Sequence, residues 1–290
     1  TAYAQNSQSN SVSALGRLQP EGGIILIGAA STPEAISGSI LTTLLVSEGD
    51  FVEAGALLAV TDAAAVLTAR VKQAQALQQT ATRAAEAAQS QAGESCVRAD
   101  VAKREADRRV RLLNQKLASE EETESALGQA EATAASCTAA KANALYAQSE
   151  IDVSIASVEV AQAELERAYI KAPVGGRILD VLRQPGELIG AEGVLELGRV
   201  DRMYAVAEVY ETDIRRVKVG QTATITSDAL PRPLSGKVEL IRHKVQKKDV
   251  TGTDPAADKD ARIIEVEILL DDSESANSLT YLQVEIIIDA

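Results

Sequence analysis

Hydrophobic and polar positions change rhythm twice along this chain. From about Ala63 to Ala168, small and apolar residues recur at three- and four-residue spacings among Gln, Glu and Arg, the pattern of long amphipathic helices. On both sides Val, Ile, Leu and Thr come in short runs punctuated by Gly, Pro and Asp, which predicts short β-strands. Proline and glycine mark the same division. No proline falls between Pro33 and Pro173, and only Gly93 and Gly128 lie between Gly55 and Gly175.

Within the helical interval, Lys116-Leu117-Ala118-Ser119 is the one break. Ser119 followed by Glu122 is a capping box, which marks a helix N-terminus. Glu120, Glu121, Glu122 and Glu124 load the new first turn with negative charge, where the helix dipole favours it. Arg108, Arg109, Arg111 and Lys116 load the preceding turns with positive charge. The spacing therefore predicts a helix ending near Lys116 and a second beginning near Ser119. Each has about 50 residues, or ~75 Å at ~1.5 Å per residue. Equal helices joined by a tight turn make an antiparallel coiled-coil hairpin. The second helix carries Ala130, Cys137, Ala144, Ile151, Val158 and Leu165 at every seventh position. The first carries Cys96, Ala99, Ala106, Val110, Leu113 and Leu117 at compatible spacings, with Lys103 as an exception. Residues 63–116 hold 10 basic and 5 acidic groups, and residues 119–168 hold 2 basic and 10 acidic. That asymmetry reads as attraction within a hairpin or between neighbouring hairpins, or as two solvated faces.

Cys96 and Cys137 are a disulfide candidate. Their numbers sum to 233, as do those of Lys116 and Leu117 at the predicted turn, which puts the cysteines at equal height on facing seams. The small neighbours Ala92, Gly93, Ala99, Ala134 and Ala140 would allow the close Cα approach a disulfide needs. The alternative is two buried free thiols serving as small hydrophobes.

Composition narrows the function. Of 290 residues, 46% are hydrophobic but only 2% aromatic, which suits a thin, elongated molecule better than a thick core. The net charge of −13 argues against a nucleic-acid partner. A single histidine, His243, leaves His-based metal sites and His-dependent nucleophiles hard to build, and it is expected on the surface. The sequence offers no catalytic, metal or cofactor set. No run approaches the ~18–20 apolar residues of a membrane span. The polar residues 1–10 begin without Met, so the chain is expected to be an excised soluble portion with a flexible N-terminus.

The β-rich flanks contain a weak duplication. Gly38-Ser39-Ile40-Leu41 matches Gly176-Arg177-Ile178-Leu179, and Glu48-Gly49-Asp50 matches Pro185-Gly186-Glu187. Each is followed by an apolar pair, a further glycine (Gly55, Gly193) and an apolar strand. These halves resemble those of a lipoyl or biotinyl module. Carriers of that fold bear an acceptor lysine on the hairpin joining the halves, and here the coiled coil occupies that place. A lipoyl module split by a helical hairpin resembles the periplasmic adaptor or membrane fusion proteins of the HlyD-like superfamily. Residues 204–214 and 219–225, with Gly236–Ile241, Ile263–Ile268 and 282–288, resemble the adaptor β-barrel, and residues 12–21 would supply its first strand. The strings at residues 14–21 and 207–214, with Lys247-Lys248-Asp249-Val250 and 253–258, resemble the DevB branch, which serves cyanobacterial ABC exporters.

The resemblance implies an elongated multidomain α+β chain. Residues 11–32 and 200–290 would form the β-barrel, residues 33–62 and 169–199 the lipoyl-like domain, and residues 63–168 the hairpin, with its turn near 116–119. It implies no catalysis and no cofactor. It implies a periplasmic adaptor, held at the inner membrane by a segment outside this chain, assembling as a homohexameric ring. That ring would join an inner-membrane ABC transporter to a TolC-like outer-membrane duct. Arg108, Leu112 and Ser119 match the spacing by which adaptor tips dock such ducts, although Ser119 has a role as helix cap in any case. By analogy Glu192 would narrow a ring lumen, and Lys247-Lys248-Asp249 would be a solvated loop or a transporter contact. The other readings are an adaptor for an RND or MFS transporter, a lipoyl or biotinyl carrier, and a purely structural coiled coil.

Overall fold

The structure, a computed structural model, describes residues 11–30, 38–247 and 262–289. Residues 1–10, the string 253–258 and all but Lys247 of the Lys247–Val250 string lie outside them. The chain divides into two compact units, a β unit built from both ends of the sequence and a helical unit from its middle.

The helical unit is an antiparallel pair, α1 (Ala63–Asn114) and α2 (Glu120–Glu166). Burial on α2 follows an unbroken heptad. Thr123, Ala144, Val158 and Ala161 are buried, and the intervening seam positions, among them Ala130, Cys137 and Ile151, are half-buried. On α1 the seam runs through Leu67, Val71, Ala85, Ala92, Ala99 and Ala106. It passes through Ala102 rather than Lys103, so the lysine that breaks the sequence pattern simply points to solvent. Leu117, expected on the seam, is 71% exposed. The reason is that α1 ends at Asn114, two residues sooner than the charge pattern suggests, and the chain has already turned away.

Among the described residues the β unit holds eleven strands. β1 (Ser11–Ile27), β7 (Leu195–Tyr210), β8 (Thr222–Thr226), β9 (Leu234–Lys247), β10 (Arg262–Leu270) and β11 (Gln283–Asp289) pair antiparallel in the order β1–β11–β8–β9–β10–β7. β7 pairs with β1 again, which closes the six strands on one another. Period-two alternation supplies the filling. On β11, Val284, Ile286 and Ile288 are buried while Gln283, Glu285, Ile287 and Asp289 face out. Leu18, Met203, Ile225, Ile268 and Ile286 meet in this core. Gly16 lets β1 cross close to β7, since a Cβ there would sit 2.3 Å from the Val206 carbonyl oxygen. On the other face of β7 the buried carboxylate of Glu208 lies 3.4 Å from Arg17, whose guanidinium also reaches Glu265 at 2.8 Å.

A second core lies in the same unit. β2 (Leu41–Leu44), β4 (Leu57–Thr61) and β5 (Tyr169–Lys171) form one sheet, and β3 (Phe51–Val52) pairs with β6 (Gly176–Val181), which pairs with the first residues of β7. The two sequence halves interlock reciprocally. The Gly49 amide donates to the Ile178 carbonyl, and Ile178 donates back to Asp50. In the mirror arrangement the Gly186 amide donates to the Leu41 carbonyl, and Leu41 donates to Glu187. Gly49 and Gly186 have φ of 89° and 96°, a conformation that admits glycine at little cost, which is why both halves keep one there.

Segment 11–32 does not belong to the first core alone. β1 shifts register against β7 at Pro20–Glu21 and again at Glu21–Ile24. Beyond that irregularity Ile24–Ile27 pair with Leu195–Gly198, and Ile27 is buried in the second core. Gly22 and Gly23, both at positive φ, carry the bend.

Candidate functional site

The connection between α1 and α2 is built by local hydrogen bonds. The Lys116 amide donates to the Leu113 carbonyl at 2.8 Å and the Leu117 amide to the Leu112 carbonyl at 2.9 Å. This is the Schellman pattern, with Lys116 at φ 60° in the position glycine usually holds. A lysine there stores strain, of order 1 kcal/mol. α2 then opens on Ser119, whose Oγ accepts from the Glu122 amide at 3.2 Å, while Glu122 Oε2 accepts from the Ser119 amide at 3.4 Å. Thr123 Oγ1 donates to the Ser119 carbonyl at 3.0 Å, and Thr123 is buried under the turn.

Charge ties the two helix ends together. Arg109 donates through Nε to Glu105 at 2.9 Å and lies 3.5 Å from Glu122 on the other helix. Arg108 pairs with the same Glu105. The Arg109 hydrogen bond, followed by the charges of Arg108 and Arg109, holds the Glu105 carboxyl below its usual range. The tip thus keeps its arginines oriented and in contact with water.

The three tip residues singled out in the sequence fall on this turn. Arg108 is exposed and Leu112 half-buried, one helical turn apart on α1, and Ser119 is the exposed N-cap of α2. Arg109, Glu105 and the left-handed Lys116 are the further residues that shape the tip. The bridge from Arg109 to Glu122 could have been read from their near-equal distances to the turn, whereas nothing in a lysine announces a positive φ.

Cys96 and Cys137 are joined in a disulfide, with Cα atoms 4.6 Å apart. Ala92, Ala99 and Ala140 line the neighbouring seam, but Gly93 and Ala134 face solvent, and a Cβ on Gly93 would meet nothing within 4 Å. Close approach at the disulfide therefore uses seam alanines and does not require Gly93. Glu192 sits on an exposed turn closed by Gly193 and pairs with Arg183 at 2.5 Å. His243 is exposed on β9. Among the described residues no cluster of His, Cys, Asp or Glu is placed to hold a metal ion, and no helix is long and apolar enough to cross a membrane.

No protein-family model matches the sequence, and no curated protein matches it. Solved structures do. MacA from Actinobacillus actinomycetemcomitans is 21% identical, with a TM-score of 0.63 over 96% of this chain and 78% of its own. The membrane fusion protein Spr0693 from Streptococcus pneumoniae R6 is 17% identical, with a TM-score of 0.58 over 96% of this chain and 98% of its own. A MacA–MexA chimera containing the Pseudomonas aeruginosa MexA α-hairpin domain is 18% identical, with a TM-score of 0.60 over 96% of this chain and 78% of its own. At these identities what is shared is the fold, and it is the fold of solved membrane fusion proteins.

Proposed function

We propose that this chain is the periplasmic adaptor subunit of a tripartite ABC-type exporter, bridging an inner-membrane ABC transporter and a TolC-like outer-membrane duct. The observation that carries this reading is the interrupted β module: two halves that hydrogen-bond reciprocally, with a 52-residue and a 47-residue helix inserted between them. In this reading that module is the lipoyl-like domain, and the closed six-stranded ring is the adaptor β-barrel. The molecule acts mechanically, assembling as a homohexameric ring that surrounds the export path, and makes or breaks no bond in its cargo. The disulfide suits an oxidising compartment such as the periplasm. The matching strings at residues 14–21 and 207–214 support the DevB-like branch within adaptors, and with it an ABC partner.

Arg108, Leu112 and Ser119 are the proposed duct contacts. An exposed arginine and a helix-capping hydroxyl can hydrogen-bond carbonyls at a helical rim, and a half-buried leucine can complete its apolar contact in a groove. The experiment is co-purification of the chain from membranes with its ABC permease and duct. The Arg108→Asp, Ser119→Arg double variant is expected to lose the duct and export while keeping the permease. Unchanged export would remove the tip assignment, and absence of any ABC permease from the wild-type complex would remove the ABC reading.

A further inference from the structure

The seam uses one side of α2. A second three–four register runs along the opposite side, two residues on and therefore about 200° round the helix. Ala132, Ala139, Tyr146, Val153 and Val160 recur at every seventh position, with Ala135, Ala142, Ser149, Ala156 and Ala163 interleaved three residues later. All ten are exposed, Tyr146, Val153 and Val160 by 60% or more, and none is charged. A helix needs one apolar stripe to pack in a hairpin, and this one has two. Acidic residues flank the second stripe, with Glu131, Asp152 and Glu159 along one margin and Glu150 and Glu164 along the other.

The outward face of α1 is its complement in size and charge. Ala76, Ala87, Val97 and Val101 lie there among Arg83, Arg104 and Arg108, all exposed. Heights can be compared through the disulfide, whose residue numbers sum to 233. At that same sum Val101 stands level with Ala132 and Ala87 with Tyr146, so in these two pairs a large residue meets a small one. Arg83 stands level with Glu150.

We propose that the outward stripe of α2 docks against the outward face of α1 on a second copy of this chain, both hairpins at the same height. Val101 then packs over Ala132 and Tyr146 over Ala87, with Arg83 and Glu150 closing the margin. Each hairpin presents one face of each kind, so the contact is head-to-tail and continues from copy to copy. The pairing rests on the ring-forming adaptor reading and gives that ring its residue-level register.

A Val101–Ala132 link within one hairpin leaves the chain monomeric, so only a link between copies gives a product of higher mass. The test is Val101→Cys with Ala132→Cys in the otherwise intact chain, treated with a short bismaleimide over a concentration series and resolved after reduction. The expected result is a ladder of covalent multimers beyond the dimer. Val101→Cys with Tyr146→Cys, offset by 14 residues or about 21 Å, is expected to stay monomeric. Tyr146→Glu with Val153→Glu, both on the surface, is expected to abolish the in-register ladder. No ladder at any concentration, a product that stops at the dimer, or equal linking of the two cysteine pairs would overturn the proposal. Failure of the adaptor reading looks different: the wild-type chain would bring down no permease while the in-register ladder persisted.

Discussion

The helical hairpin and the β unit bury different chemistry. Among the described residues, eleven of the twelve largest fully buried side chains lie in the β unit and only Leu67 lies in the hairpin. The β cores are filled with Ile, Leu, Val and Met, while the hairpin seam is mostly alanine. An alanine methyl removes little apolar area from water, so the hairpin gains little per residue from burial. Its order comes from many small seam contacts, a capped turn and one covalent tie. The β unit holds through packing, and the hairpin holds through length and constraint.

The largest expected effect falls on the constraint. Cys96→Ser with Cys137→Ser releases a tie with a sequence separation of 41 and removes about 4 kcal/mol in the chain-entropy model. The loss should appear as faster amide exchange in α1 and α2 with unchanged protection in β7 and β10. Equal loss in both units would break the comparison. Ile268→Ala, in the β core, should cost ~3 kcal/mol and shift the denaturation midpoint of the β unit. Ala106→Gly, buried on the hairpin seam, should cost only ~1 kcal/mol. A comparable loss at the two sites would mean that the alanine seam packs as tightly as the β core. At the tip, Ser119→Ala removes the cap accepted from Glu122 and should cost ~1 kcal/mol, read as fraying of the first turn of α2.

The smallest effect at neutral pH belongs to Tyr204. Burial and then its hydrogen bond to Glu239 push the phenol up to about 12 from an ordinary 10. The folded state therefore holds the proton after the unfolded state has lost it. Stability is fully present below pH 10 and declines as pH rises toward 12. Alkaline unfolding should show that decline in the wild type and a shallower one in Tyr204→Phe. An identical slope in both would mean that Tyr204 does not couple to folding.

Legibility followed how local each rule is. The capping box at Ser119 and Glu122, the heptad through Ala130, Ala144 and Val158, and the equal heights of Cys96 and Cys137 depend on residues a few positions apart or on one simple symmetry about a turn. Each was readable directly. Leu117 was misplaced because the seam pattern continues one step past the helix that carries it. Only the hydrogen bonds at Leu112 and Leu113 show where α1 stops. The repeated glycines were visible in the sequence, but not that each half bonds to the other's turn.

Local order in this chain was therefore determined largely by the sequence alone: two long helices, the place of their turn, the strand segments and most of the positions that face a partner. Tertiary structure decided which partner. Alternation along β1 says that one face is buried, and it does not say that residues 11–20 pair with both β11 and β7 while Ile24–Ile27 cross into the second core. That choice joins residues from 168 positions apart (Ile27 and Leu195) to 278 positions apart (Ser11 and Asp289). It depends on the bend at Gly22 and Gly23 and on the close crossing at Gly16, which exist only once distant strands meet. Helical periodicity names its neighbour within a turn, and a β ladder waits for the rest of the chain.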